Sequence, residues 1–193
     1  MKKEIYSYNS ESLTCNDRPI LPIMGEFHFS RYPEGEWKTA IKNMQQGGVD
    51  IVATYVFWIH HEEAEGEWDF SGRRNLKAFL SCCQEAGMKV WLRIGPWAHG
   101  ECRNGGFPDW LVEKEKRGNL SLRTDDPQYL KYVDLFFTKI AEQADGYMHK
   151  DDGPVIGIQI ENEYGHAGGP SDREEGMAHM RTLRAMAEKN GLT

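Results

Sequence analysis

Four times along this chain, a short run of apolar, β-branched and aromatic residues gives way to a longer stretch with its apolar residues on one helical face. The runs are Ile20 to Phe29, Val49 to Trp58, Met88 to Ile94 and Pro154 to Ile160. The stretches that follow them are Glu36 to Gln46, Arg73 to Ala86, Pro127 to Asp145 and Asp172 to Asn190. Trp37, Ala40, Ile41 and Met44 share a helical face, as do Leu76, Phe79, Leu80 and Cys83. Glycines stop these helices at Gly47-Gly48, Gly87 and Gly191, and Asp125 or Asp126 is available to cap the helix that Pro127 opens. Continuously apolar strands alternating with amphipathic helices are the pattern of a parallel sheet covered on both faces.

The connections are asymmetric. Helix-to-strand links are little more than the glycines, whereas strand-to-helix links are long and hold the Trp, His and Glu residues. Function on the C-terminal side of parallel strands is common to open α/β sheets and (βα)8 barrels. A complete flavodoxin-like domain of four units is the alternative, but Glu26-Phe27-His28-Phe29 stands where its phosphate loop would need glycines. The expectation is therefore an α/β chain whose residues 20–193 form the N-terminal half, four βα units, of a (βα)8 TIM barrel. Residues 1–19 are expected to be an N-terminal extension, and the chain to stop before a fifth strand. Half a barrel has unpaired outer strands, so oligomers formed through those edges are expected.

Composition narrows the partners. A formal net charge of −7 leaves nothing to neutralise phosphates, which argues against nucleic acid. No apolar run approaches the roughly 18 residues of a membrane span. Met1-Lys2-Lys3-Glu4 is followed by polar sequence from Ile5 to Asn16, where a signal peptide needs an apolar segment, so the expectation is a cytoplasmic protein. Cys15, Cys82, Cys83 and Cys102 make no disulfide framework. His60-His61-Glu62-Glu63, His28, His99 and Cys102 lack metal-ligand spacing, so no metal and no cofactor is expected.

The segment richest in chemistry is Gly153-Pro154-Val155-Ile156-Gly157-Ile158-Gln159-Ile160-Glu161-Asn162-Glu163-Tyr164, an apolar strand ending abruptly in two carboxylates. Strand alternation would turn Glu161 and Glu163 to one side, and apolar surroundings would raise a carboxyl's pKa toward acid catalysis. The same pattern also fits a merely solvated strand end. Glu113-Lys114-Glu115-Lys116-Arg117 reads as a solvated helix end.

The Asp152 to Tyr164 stretch resembles the signature of glycoside hydrolase family 35, the β-galactosidases, differing only in Asp152 at its first glycine. The resemblance extends over about residues 20 to 166, through Gly25-Glu26-Phe27-His28-Phe29-Ser30-Arg31, Thr54-Tyr55-Val56-Phe57-Trp58 with His61-Glu62, Gly66-Glu67-Trp68-Asp69-Phe70, and Arg93-Ile94-Gly95-Pro96-Trp97 to Leu111. It implies a retaining glycosidase that removes terminal β-D-galactosyl residues by double displacement, with Glu163 as acid/base. It places Asn162 near the sugar 2-hydroxyl, and Glu101 and Tyr55 on galactose hydroxyls. The nucleophile that such an enzyme needs would follow a seventh strand, outside this chain, so these residues alone are expected to be inactive. Glu161 cannot take that part, because retaining carboxyls face each other about 5–5.5 Å apart across the anomeric carbon.

The chain departs from the family pattern at Ile59, Glu63, Trp97, His99 and Gly100. His99 and Gly100 therefore join the candidate substrate contacts, with His99 expected to change the polar groups beside the sugar. Trp58, Trp97 and Trp110 are candidate sugar platforms or core residues. His28 and His61 are expected to hydrogen-bond neighbouring carboxylates. A catalytically silent galactoside binder, or another retaining β-glycosidase such as a β-glucosidase or β-mannosidase, remains as an alternative.

Overall fold

The computed structural model describes residues 4–166, 168–169 and 173–193, with the side chain of Arg173 left aside. Three short strands, β1 (Tyr6–Tyr8), β2 (Leu13–Cys15) and β3 (Arg18–Ile20), form an antiparallel meander. The turn between β2 and β3 is Asn16-Asp17, both at positive φ (51° and 62°). That is the backbone a two-residue hairpin requires and Asn and Asp tolerate. Glu4 pairs with Lys89 at 2.6 Å and its carbonyl accepts from His149 Nε2 at 2.6 Å, which fastens the meander to the main body. Residues 1–19 were expected only as an extension, and Ile20 was assigned to the first barrel strand; Ile20 instead closes the meander. Pro22, which has no N–H to give a ladder, separates it from β4 (Met24–Glu26).

The main sheet is four-stranded and parallel, in the order β4, β5 (Ile51–Tyr55), β6 (Lys89–Gly95), β7 (Val155–Ile160). Between these strands run α1 (Trp37–Gln46), α2 (Trp58–His61), α3 (Leu76–Glu85), α4 (Asp109–Lys116) and α5 (Pro127–Ala144), and α6 (Arg173–Lys189) follows β7. This is the first half of a (βα)8 barrel. The two short helices α2 and α4 lie in strand-to-helix connections, and the Glu113 to Arg117 charge run is indeed the end of α4. Asp126 caps α5, accepting from Gln128 N at 2.8 Å and Tyr129 N at 3.1 Å. Asp125 instead reaches α6, binding His179 Nδ1 at 2.7 Å and Thr182 Oγ1 at 2.9 Å.

The core lies between the sheet and its helices. Val52, Val90, Leu92 and Ile94 meet Ile41, Phe79, Leu80, Val133, Phe136 and Phe137, all buried. The strands were expected to be buried on both faces. β5 is, but in β6 buried Val90, Leu92 and Ile94 alternate with half-buried Lys89, Trp91 and Arg93. The second set faces the barrel axis, where polar groups collect at the C-terminal ends of the strands.

Candidate active site

The fourth strand ends at Ile160, and the chain then leaves extended geometry. Glu161 and Glu163 both adopt positive φ (53° and 46°), so strand alternation no longer governs where they point. The expectation that they share an environment is corrected. Glu161 is buried, its side chain 2% exposed, and Arg123 grips it through Nε at 2.8 Å and Nη2 at 2.6 Å. Glu163 keeps 56% of its side chain exposed. Desolvation therefore acts on Glu161, pushing its carboxyl up against the opposing pull of Arg123.

Arg123 was not singled out from the sequence. Its guanidinium lies 4.5 Å from the Trp97 ring centroid and 5.1 Å from that of Tyr164, and Nη2 also donates to the Asn162 carbonyl at 3.2 Å. Tyr164 Oη donates back to the Arg123 carbonyl at 2.8 Å. One arginine thus ties down Glu161, Asn162 and Tyr164, on both sides of Glu163.

Asn162 is fixed from the other side. Its Oδ1 accepts from Arg93 Nη2 at 2.8 Å and from Gln159 Nε2 at 3.3 Å. Arg93 in turn pairs with Glu26 at the end of β4 and lies 3.8 Å from the Tyr55 ring centroid. Tyr55 is buried at the end of β5; burial, with the charge of Glu163 next, pushes its phenol well above the usual tyrosine range. Its hydroxyl is therefore a neutral hydrogen-bonding group at ordinary pH.

After β6 the chain makes a left-handed turn at His99 (φ 59°), Gly100 (φ 49°) and Glu101 (φ 48°). A Cβ at Gly100 would come within 3.0 Å of the Phe57 ring, so the loop lies against the small apolar cluster of Tyr55, Phe57, Ile59 and Ala98. Ala98 N and His99 N both donate to the Gly105 carbonyl, at 2.8 and 3.1 Å, closing the loop on itself. The turn sets His99 Nδ1 3.2 Å from Glu163 Oε2. Glu101 is exposed, near enough to His28 and Tyr55 for its charge to act on both. Beside it opens a cavity of about 510 Å³, walled also by Arg31, His60, Glu63 and Arg103.

The structure therefore brings Tyr55, Asn162, Glu163, His99, Gly100 and Glu101 to one end of the sheet. The histidines expected to bind carboxylates divide. His28 Nε2 is 3.8 Å from Glu26, but His28 Nδ1 also accepts from Tyr55 N at 3.4 Å. His61 is wholly buried, donates from Nδ1 to the Asp69 carbonyl at 3.0 Å and packs between the rings of Phe29 and Phe70. Trp58 is core, stacked on Phe136 with Nε1 donating to Glu62, and Trp110 donates to the Glu62 carbonyl. Trp97 alone of the three borders the site. Among the described residues no cluster of His, Cys, Asp and Glu is arranged to hold a metal ion, and no helix is long and apolar enough to cross a membrane.

Carboxylates, an amide, a tyrosine and a tryptophan gathered at the C-terminal mouth of a parallel barrel are the architecture of a barrel glycoside hydrolase. The chain belongs to glycosyl hydrolases family 35, whose model matches residues 12–193. It is similar to the β-galactosidase of Homo sapiens, 37% identical over 158 residues that cover 82% of this chain and 23% of the relative. It is similar also to the β-galactosidase of Xanthomonas manihotis, 35% identical over 174 residues that cover 90% of this chain and 28% of the relative. The chain thus spans about a quarter of the length of these relatives. An exo-β-1,4-mannosidase, Op5Man5 from Opitutaceae bacterium strain TAV5, superposes with a TM-score of 0.67 at 18% identity, over 89% of this chain and 30% of that one, and shares the fold.

Proposed function

We propose that the protein carrying this chain hydrolyses terminal β-D-galactosides with retention, and that Glu163 is its acid/base. The observation that carries the reading is the position of Glu163. It stands at the end of the fourth strand of a family 35 barrel, in a turn fixed by Arg123 and Arg93, facing the loop of His99 and Glu101. An exposed carboxyl there can give a proton to the leaving glycosidic oxygen and later take one from water. Asn162 and Tyr55 offer an amide and a neutral phenol to sugar hydroxyls, and Glu101 a carboxylate. Glu161 is committed to Arg123, so the nucleophile is assigned to a part of the longer protein outside this chain.

Glu163→Gln tests the role. Turnover of lactose should fall by about 10²–10⁴-fold, whereas glycosylation by a dinitrophenyl galactoside, which needs little protonation, should be nearly unaffected. Near-normal lactose hydrolysis by the variant would remove Glu163 from the mechanism. A panel of nitrophenyl glycosides tests the sugar, with galactoside expected first and a preference for glucoside or mannoside overturning that part.

A further inference from the structure

We propose that His99 is a positioning residue for Glu163, fixing which carboxyl oxygen carries the catalytic proton; this rests on the acid/base reading above. The contact is His99 Nδ1 to Glu163 Oε2 at 3.2 Å, across from the loop after β6 to the turn after β7. A carboxylate only accepts, so for this approach to close into a hydrogen bond on the base form of Glu163, His99 Nδ1 must carry the proton. When Glu163 is protonated, the same Nδ1–H keeps Oε2 as acceptor, and the proton then belongs on Oε1. Oε1 is thereby the oxygen that protonates the leaving group in the first step and accepts a proton from water in the second. No proton needs to move between the two oxygens during turnover, and the carboxyl need not rotate.

The surroundings support a dedicated contact. The turn that aims His99 places three consecutive residues at positive φ, a backbone that costs energy for residues with a Cβ and is held here by the paired Ala98 and His99 bonds to the Gly105 carbonyl. The imidazole edge also meets the Trp97 ring, at 6.0 Å between centroids. The other charged or titratable groups about the pair are engaged or lie elsewhere. Arg123 holds Glu161, Arg93 holds Glu26 and Asn162, and Glu101 acts on His28 and Tyr55. Tyr55 is the third member of the immediate neighbourhood, its phenol feeling the charge of Glu163 directly. His166 lies in the same turn as Glu163, with its N–H on the Glu163 carbonyl at 2.9 Å.

Two substitutions suit a residue at φ 59° and so separate the contact from folding: His99→Asn, which keeps an N–H donor, and His99→Gly, which has none. On lactose, His99→Gly should lose about tenfold in kcat, in keeping with one hydrogen bond to a charged group that is half exposed, and His99→Asn should recover most of it. Glycosylation by a dinitrophenyl galactoside, which needs little protonation, should fall by much less than lactose turnover in both. A purely structural role would lower both substrates alike and would not distinguish Asn from Gly. Nitrogen NMR of the neutral imidazole gives a readout that needs no turnover: His99 should be the Nδ1–H tautomer, shifting toward the Nε2–H form in Glu163→Ala. An Nε2–H tautomer in the unsubstituted protein, or equal lactose turnover by the Gly variant, overturns the inference. Absence of any galactoside turnover would instead sink the proposed function and leave the tautomer to decide this one.

Discussion

Arg123 and Glu161, 38 residues apart, form a two-point ion pair with both side chains almost fully buried, 4% and 2% exposed. The pair lies directly beneath the turn that carries Glu163. Its guanidinium is sandwiched near Trp97 and Tyr164, so charge, stacking and the Asn162 carbonyl all converge on one arginine. A buried pair of this kind adds little net stability over an apolar substitute, but breaking it strands a charge.

Removing one partner is therefore expected to cost more than removing both. Arg123→Met should destabilise by about 3–5 kcal/mol, and the Arg123→Met, Glu161→Leu double variant should recover a large part of that. Chemical denaturation of the two variants checks the order. An Arg123→Met protein as stable as the original would mean that Glu161 finds another partner or becomes neutral without penalty.

Gly105 is expected to be as sensitive as a charged residue. It sits at φ +61°, and a Cβ there would lie 2.1 to 2.3 Å from three atoms of the Trp97 ring. Gly105→Ala has to displace Trp97, which undoes one side of the Arg123 stack and loosens the His99 loop. A loss of about 2–4 kcal/mol is expected from overpacking and backbone strain together. Thermal unfolding measures the loss, and tryptophan fluorescence reports whether the ring has moved. An unchanged melt would show that the loop yields freely.

The four βα units were legible because each strand is a compact β-branched or aromatic run and three of the helices end at glycine. The meander was harder to read: its strands are three residues each and polar, although the Asn16-Asp17 pair is a hairpin signal in plain view. At the site, Glu163, Glu101, Tyr55 and Asn162 were found through family motifs, and the structure gathers them. The contrast between Glu161 and Glu163 was not legible, because periodicity extends a strand without saying where it stops. Arg123 carried no signal at all. Its importance comes from a contact across 38 residues, and nothing in Leu122-Arg123-Thr124 distinguishes a buried arginine from a solvated one.

The edge of the sheet makes a prediction about solution behaviour. Among the described residues β4 has a single strand neighbour in the sheet, and at its start Leu21, Ile23 and Met24 are exposed by 96%, 58% and 45%. An apolar, short-looped edge of this sort invites pairing with another copy. The 193-residue chain by itself should sediment as dimers or larger species, and Ile23→Lys should move the distribution toward monomer. A compact monomer at all concentrations in analytical ultracentrifugation would count against edge pairing.

The last prediction concerns acid stability and comes from His61. Its side chain has no exposure, its Nδ1–H is bonded to the Asp69 carbonyl, and Phe29 and Phe70 flank the ring. Burial pushes its pKa down to about 4, against 6.5 for an ordinary histidine. The folded protein therefore leaves His61 neutral in a range where the unfolded chain takes up a proton. Stability from this residue is fully present above about pH 6.5 and is lost as pH falls toward 4, at up to about 1.4 kcal/mol per pH unit. Below about 4 both states are protonated and the slope from His61 vanishes. His60 is also pushed down to about 4, chiefly by burial, and adds in the same window. His61→Phe keeps an aromatic ring in the stack and removes the proton site. Urea titrations between pH 7 and 4 should show the variant losing less stability with falling pH, by close to one proton's worth of slope. If the two proteins lose stability in parallel, then His61 is not the group that titrates on unfolding, and the acid limb belongs to His60 and the carboxylates instead.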